Sequence, residues 1–356
     1  MKRRTLLKAG SAAGLLAMTP LAARAQATDG WRTFEVVTRI EVTAPSGQVM
    51  VWAPLPLSED ADWFQTLGNA VTGNFAVVTS AVDPNSRAAI CSASFKPGEA
   101  QPVIEVTSRF RTRDRKVALQ PGGGTLASAA EQAQYLKPTE FMPTDGIVHD
   151  TALKATRGAR TDVDKARALY EWTVENTERN AKTRGCGVGD IKAMLESNNL
   201  NGKCADLNAL FVALARSVGV PARDVYGVRV ADSNRGYKSL GKSGDITRAQ
   251  HCRAEFYAQT IGWVPVDPAD VRKVMLEEKP GLTLQDEVVK NARTMLWGGW
   301  EGNWLAYNYA HDVRLPGSTK APVPFLMYPQ AENAEGRLDS LDPDNFRYRI
   351  SAREIS

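Results

Sequence analysis

The stretch Asn201-Gly202-Lys203-Cys204-Ala205-Asp206-Leu207, continued to Pro221, constrains the fold more than any other part of this 356-residue chain. Leu207, Leu210, Phe211, Leu214 and Val218 recur at helical steps, which predicts a helix with that face buried. Asn201 and Gly202 suit its start, and Gly219 and Pro221 its stop. Cys204 therefore falls in the first turn, where free N–H groups and the positive end of the helix dipole favour a thiolate. The alternative is a small buried cysteine with no chemistry. Its place at a helix start, after Gly-Lys, favours chemistry.

The chain is long enough for two domains, and 43% hydrophobic with 24% charged residues is the balance of a chain that can bury a core. Its N-terminus has the layout of an export signal. Arg3-Arg4 precedes Leu6, Leu7 and Lys8, a Gly/Ala-rich run follows from Ala9 to Ala23, and Ala23-Arg24-Ala25 is a small-x-small cleavage site. Residues 1–25 resemble a bacterial twin-arginine signal, with an ordinary secretory signal as the other reading, and a periplasmic location is expected. The run is too weakly apolar for a stable membrane span, so no integral membrane segment is expected after signal removal. The segment carries five basic and no acidic residues, so its loss turns the formal charge from +4 to −1. The basicity belongs to the signal, and no nucleic-acid partner is implied.

Between Trp31 and Val117, short β-prone runs (33–42, 48–52, 75–82, 88–95 and 103–111) alternate with turns rich in Pro, Gly and Asn. Residues 31–118 are thus expected to form an antiparallel β-sandwich domain. Arg109, Arg111, Arg113 and Arg115, spaced by two, read as the solvated face of an edge strand. Pro121-Gly122-Gly123-Gly124 marks a linker. Helices are expected at 128–136, 162–176 and 191–195, the second capped by Asp162. Gly185-Cys186-Gly187-Val188-Gly189-Asp190 is a loop, but not a phosphate loop, because no GK[ST] follows. A catalytic core over 128–276 and a C-terminal extension over 277–356, packed on that core, complete the expected organisation.

A β-hairpin is expected from strands 249–258 and 263–266. Alternation sets His251, Arg253, Glu255 and Tyr257 on one face and Cys252, Ala254, Phe256 and Ala258 on the other. A hairpin centred near residue 259 sets His251 opposite Asp267, close enough for the carboxylate to orient the imidazole. A thiol nucleophile needs a base, and the base needs a partner that fixes its tautomer. Cys204, His251 and Asp267 supply those roles in chain order. His311-Asp312 is a weaker pair in a loop with no thiol assigned to it.

Three segments carry a family resemblance. Asn201 to Leu210 with Val218-Gly219-Val220-Pro221-Ala222-Arg223, His251 to Tyr257, and Gly262-Trp263-Val264-Pro265-Val266-Asp267-Pro268 resemble the core of bacterial transglutaminase-like proteins, a group that includes cysteine proteases. The resemblance covers residues 130–276. It implies an α+β, papain-like fold behind an accessory β domain, with Cys204 as nucleophile, His251 as general base and Asp267 as orienting acid. Implied with it are a thioester intermediate, a peptide or carboxamide substrate with water or an amine as acceptor, and no cofactor. The aromatic residue the family often carries after the histidine is replaced by Cys252-Arg253. The Cys204 N–H is the first oxyanion donor, and Trp172, Asn180 and Gln250 are candidates for the second.

Two other readings stay open. One is a protein- or peptide-binding module without turnover on the same fold. The other is a metal site built from Cys204, His251, Cys252 and Cys186, which lacks the close ligand pairs that zinc sites prefer. All four cysteines, Cys91, Cys186, Cys204 and Cys252, lie beyond the signal, and a Cys91–Cys186 disulfide is the pairing that spares the nucleophile.

Overall fold

The computed structural model describes residues 30–84 and 86–355. The export-signal reading of residues 1–25 lies outside them. The fold is α+β, with antiparallel sheets leading into a mixed core.

Along Arg32–Val42 the even positions Phe34, Val36, Ile40 and Val42 are buried, the period-two pattern that sets one face of a strand inward. This strand lies between Phe346–Glu354 and Val103–Thr112 in a five-stranded antiparallel sheet that Phe64–Gly73 and Gly244–Asp245 complete at its edges. A second five-stranded sheet is ordered Gly336–Leu338, Gln330–Asn333, Met50–Pro54, Ala89–Ser94, Val77–Val82. Ile40, Val51, Phe95, Ile104 and Phe346 share one buried cluster drawn from both sheets.

Two sequence expectations change here. The strand Phe64–Gly73 was not expected, because Gly68, Asn69 and Gly73 dilute its β signal and its register shifts between Thr66 and Gly68. With that strand in place, Val103–Thr112 is interior, and the arginine series is not a solvated edge. Arg109 pairs with Glu35 at 2.8 Å and Arg111 donates to Gln65 at 2.6 Å. Arg115 is buried against Glu255, its guanidinium 5.4 Å from the Trp63 ring and 5.1 Å from the Trp300 ring.

The C-terminal residues also divide. The helices Pro268–Glu277 and Glu287–Met295 and the strand Trp304–Asn308 belong to the core, whereas Gln330–Asn333 pairs with Met50–Pro54 and Phe346–Glu354 with Arg32–Val42. Residues 277–356 are therefore not simply an extension on the core. Both sheets near the N-terminus need a strand that the first 118 residues do not supply. Trp300 and Trp304 are buried against Trp63, centroids 5.4 and 6.3 Å away, so this aromatic run is packing at the junction.

The core is a four-stranded antiparallel sheet in the order Gly262–Val266, Gln250–Ala258, Ala222–Arg229, Trp304–Asn308. The helix Cys204–Ser217 packs on the strand Gln250–Ala258 and on the helices Gly146–Ala155 and Asp162–Asn176. Every residue from Cys204 to Arg216 is buried, not one face alone. Ala205, Ala209, Ala213 and Ala215 are small enough for neighbours to close on the other sides. Leu207, Leu210, Phe211 and Leu214 are fully buried, each worth roughly 2 kcal/mol of transfer free energy. The helix Asp162–Asn176 is capped one residue earlier than expected, by Thr161, whose Oγ1 accepts from the Asp164 N–H at 3.1 Å. Among the described residues no helix is long and apolar enough to cross a membrane.

Candidate active site

Cys204 is the first residue of its helix, and what holds it there is Asp206. The Asp206 carboxylate accepts the Lys203 N–H at 2.9 Å on one oxygen and the Val188 and Gly189 N–H groups, each at 2.9 Å, on the other. The glycine loop of residues 185–190 thus wraps a carboxylate of its own chain. A Cβ on Gly187, which has φ +97°, would stand 1.9 Å from that carboxylate, so the loop cannot close with a larger residue. Wrapped this way, it brings the Cys186 carbonyl 3.0 Å from the Ala205 N–H, beside the thiol. Three of the helix's four leading N–H groups, those of Ala205, Asp206 and Leu207, have backbone acceptors. Cys204 contributes the fourth.

His251 and Asp267 come together as the sequence suggests, but by a different route. Ala254 pairs with Val266 and Glu255 with Pro265, so the hairpin centres on residue 260, and the position across from Asp267 in that register is 253. A slip of two positions keeps every side chain on its face, so the meeting survives. Asp267 leaves the strand end as the cap of the helix Pro268–Glu277 and turns its Oδ2 to within 2.7 Å of His251 Nε2.

Residues absent from the sequence reading complete the arrangement. Asn208, one helical turn after Cys204, donates to Asp267 Oδ1 at 3.1 Å and to the Cys252 carbonyl at 2.9 Å, and accepts the Ala269 N–H at 3.2 Å. Asp270 Oδ2 lies 3.3 Å from His251 Nε2, and Arg229 holds both Asp270 oxygens at 2.7 and 2.8 Å. The Trp304 indole donates to the His251 carbonyl at 3.2 Å. The i, i+4 spacing of Cys204 and Asn208 was a readable signal. Asp270 and Arg229 meet only through the tertiary fold.

The electrostatics favour a charged pair. Burial and the Arg229 charge push the His251 pKa down, but Asp270 and Asp267 outweigh them and lift it to about 9. The neighbouring thiols of Cys186 and Cys252, followed by His251, hold the Cys204 thiol well below its ordinary range against the opposing effect of burial. Contact with the Cys204 sulfur, together with burial, raises Cys186, and burial is the larger cause of the rise at Cys252.

The cysteines are arranged otherwise than expected. All four are reduced and buried, and Cys91 lies in the sandwich cluster while Cys186 lies beside Cys204, so the Cys91–Cys186 disulfide does not form. Cys252 is fully buried, as alternation predicts, but the core it enters is the one beneath the Cys204 thiol. Met327, Tyr328 and Phe325 close the same cluster and leave Cys204 only 4% exposed. The proposed metal set of Cys204, His251, Cys252 and Cys186 is not gathered at ligand spacing. Among the described residues the group that is gathered is His251, Asp267 and Asp270, and there Arg229 already supplies the cation.

Of the three candidate second oxyanion donors, Trp172 packs against the helical core and Asn180 accepts the Lys182 N–H at 3.0 Å. Gln250 Nε2 is buried with no hydrogen-bond partner, and the Gln250 carbonyl lies 3.3 Å from Cys186 Sγ. His311 does not use Asp312. Its Nε2 lies 3.2 Å from Asp224 Oδ2 and its Nδ1 3.3 Å from the Tyr226 hydroxyl.

Residues 149–268 match the Transglutaminase-like superfamily. An uncharacterized protein of Haemophilus influenzae is 32% identical over 346 residues, an alignment spanning 90% of this chain and 91% of that one. The structure named "Putative Cysteine Protease" from Cytophaga hutchinsonii is similar in fold, with a TM-score of 0.52 at 14% identity over 91% of this chain and 98% of the other. With its central thiol helix, its antiparallel core sheet and these likenesses, the chain belongs to the transglutaminase-like superfamily.

Proposed function

We propose that the protein is a thiol enzyme in which Cys204 is the nucleophile, His251 the general base and acid, and Asp267 the group that orients His251. The observation that carries this reading is the His251 ring held at 2.7 Å by a fully buried Asp267, with the Cys204 thiol held well below its ordinary range by the neighbouring thiols and His251. The Cys204 thiolate attacks a peptide or carboxamide carbonyl, and the oxyanion is met by the Cys204 N–H and the unpartnered Gln250 amide. Imidazolium His251 gives its proton to the departing amine, leaving a thioester. His251 then deprotonates water, in a peptidase or amidase, or a second amine, in a transamidase.

One experiment tests the chemistry and chooses the acceptor. Wild type and Cys204→Ala are incubated with bacterial extract and a biotinylated amine, and products are scored by mass spectrometry for amine incorporation against cleavage. New products in wild type alone support the reading, and identical products from both proteins would falsify it.

The depth of the thiol favours a second reading, a non-catalytic binding module. Failure of a chloroacetamide probe to label Cys204 in the folded protein would select it. For location, the arginine-pair N-terminus supports export to the periplasm, which cell fractionation of a C-terminally tagged chain tests directly.

A further inference from the structure

Away from the thiol, a cavity of about 730 Å3 opens beside the strand Trp304–Asn308, with Tyr135 and Pro138 on one wall and Tyr309 and Pro316 on the other. Its volume is that of a small-molecule or short-peptide site. Three cations line it without a contact ion pair among the described residues. Arg216 is only 5% exposed, yet it spends Nε on the Ala222 carbonyl at 2.7 Å and Nη1 on the Lys137 carbonyl at 3.0 Å and makes no ion pair among the described residues. Lys137 donates to the neutral Gln134 amide oxygen at 3.0 Å, and among the described residues neither Lys137 nor Arg314 has a carboxylate in salt-bridge range. Of the acids nearby, two accept hydrogen bonds and the third, buried Asp224, does not. Asp312 accepts the Glu140 N–H at 3.1 Å, Asp83 accepts from Ser86 at 2.9 Å, and Asp224 stands 3.2 Å from His311. The remaining cation of the lining, Arg87, pairs with Glu59.

This buried guanidinium hydrogen-bonds only neutral carbonyls, with Asp224 and Asp312 acting on it at longer range, so it lacks the contact ion pair that buried charges ordinarily have. An arginine also presents a planar fork that matches a carboxylate. His311 and Asp312 belong as well to a narrow crevice that passes Tyr226 and Gly189 and reaches Ala205, the residue after the thiol. The tyrosine and proline walls suit side chains, and the crevice points from the cations toward the nucleophile's helix.

We propose that this cavity binds the free C-terminal carboxylate of a short peptide, with Arg216, Arg314 and Lys137 as its charge partners. The choice of a peptide as the carrier rests on the chemistry proposed for Cys204, whereas the site's preference for an anion does not.

The test is calorimetric titration of the full-length Cys204→Ala protein, which cannot turn the ligand over. The probes are acetyl-Ala-Phe-Ala with a free carboxylate, the same peptide as its C-terminal amide, and inorganic phosphate. The acid binds roughly tenfold or more tightly than the amide, and added salt weakens it. Lys137→Ala with Arg314→Ala, both exposed side chains, removes most of that preference. Equal binding of acid and amide, an unchanged preference in the double variant, or binding of phosphate without the acid peptide each overturns the proposal. Because the probe protein lacks the thiol, acid-selective binding beside a chemically inert wild type sinks the enzymatic reading alone. The reverse pattern sinks this one alone.

Discussion

Among the described residues, one histidine–carboxylate pair is fully buried and another partly so, and their difference shows what a candidate site has beyond proximity. At His251, Asp267 Oδ2 takes the ring while Oδ1 accepts from Asn208 and from the Asp270 N–H, each at 3.1 Å. At His311, Asp224 is equally buried, but neither of its oxygens has a hydrogen-bond partner. The first carboxylate is fixed from two sides and holds the histidine proposed to serve the thiol. The second is braced only by proximity, and its histidine faces a cavity. Second partners, not the pair itself, mark the candidate catalytic centre.

The largest break in this comparison is expected from His251→Ala. Without the imidazolium, turnover falls on the order of 10^4-fold and chloroacetamide labelling of Cys204 below pH 8 falls with it. Asp267→Asn keeps the helix cap but loses the charge that steadies His251, and roughly 10^3-fold in kcat is expected to go, read against an unchanged circular dichroism spectrum.

The charge state is tested by pH. In the proposed mechanism the ion pair forms between the depressed pKa of Cys204 and the value near 9 of His251, so activity is expected to rise below the ordinary thiol range and decline above about pH 9. The linkage has the same sign. With the folded value above the reference of 6.5, charged His251 adds stability that is complete below about pH 6.5 and lost as pH rises through about 9. A rate profile still climbing at pH 10 would contradict the pair.

A smaller effect is expected from Asn208→Ala, which takes one bond from Asp267 and one from the Ala269 N–H. Turnover drops about 10–100-fold and stability by about 1–3 kcal/mol, measured by urea denaturation. Smallest at the thiol is His311→Gln. It shifts the melting temperature while Cys204 labelling stays within about twofold, and a larger change in labelling would mean that the two pairs are coupled.

The helix carrying Cys204 was legible because its apolar spacing, start and stop agree, and the meeting of His251 with Asp267 was legible because strand alternation survives a register error of two. The geometry that joins them was not. Asp267 works from a helix cap, a placement that cross-strand reasoning does not contain. Arg229 and Asp270 are 41 positions apart, and nothing local marks them as a pair. The strand Phe64–Gly73 escaped notice because its glycines dilute the β signal, and the arginine series was misread as a result. Salt partners such as Glu35 and Glu255 depend on which strands become neighbours, which local patterns do not encode.

The pairing of Phe346–Glu354 with Arg32–Val42 bears on how the protein comes to be made. Translation releases the first strand some 300 residues before its neighbour exists, so the nascent chain carries an open, hydrogen-bonding strand edge through nearly all of its synthesis. A ribosome that stalls short of residue 346 leaves that edge bare. The sheet around Arg32–Val42 is thus closed only when a segment about 300 residues downstream arrives, which makes its pairing one of the most non-local in the fold.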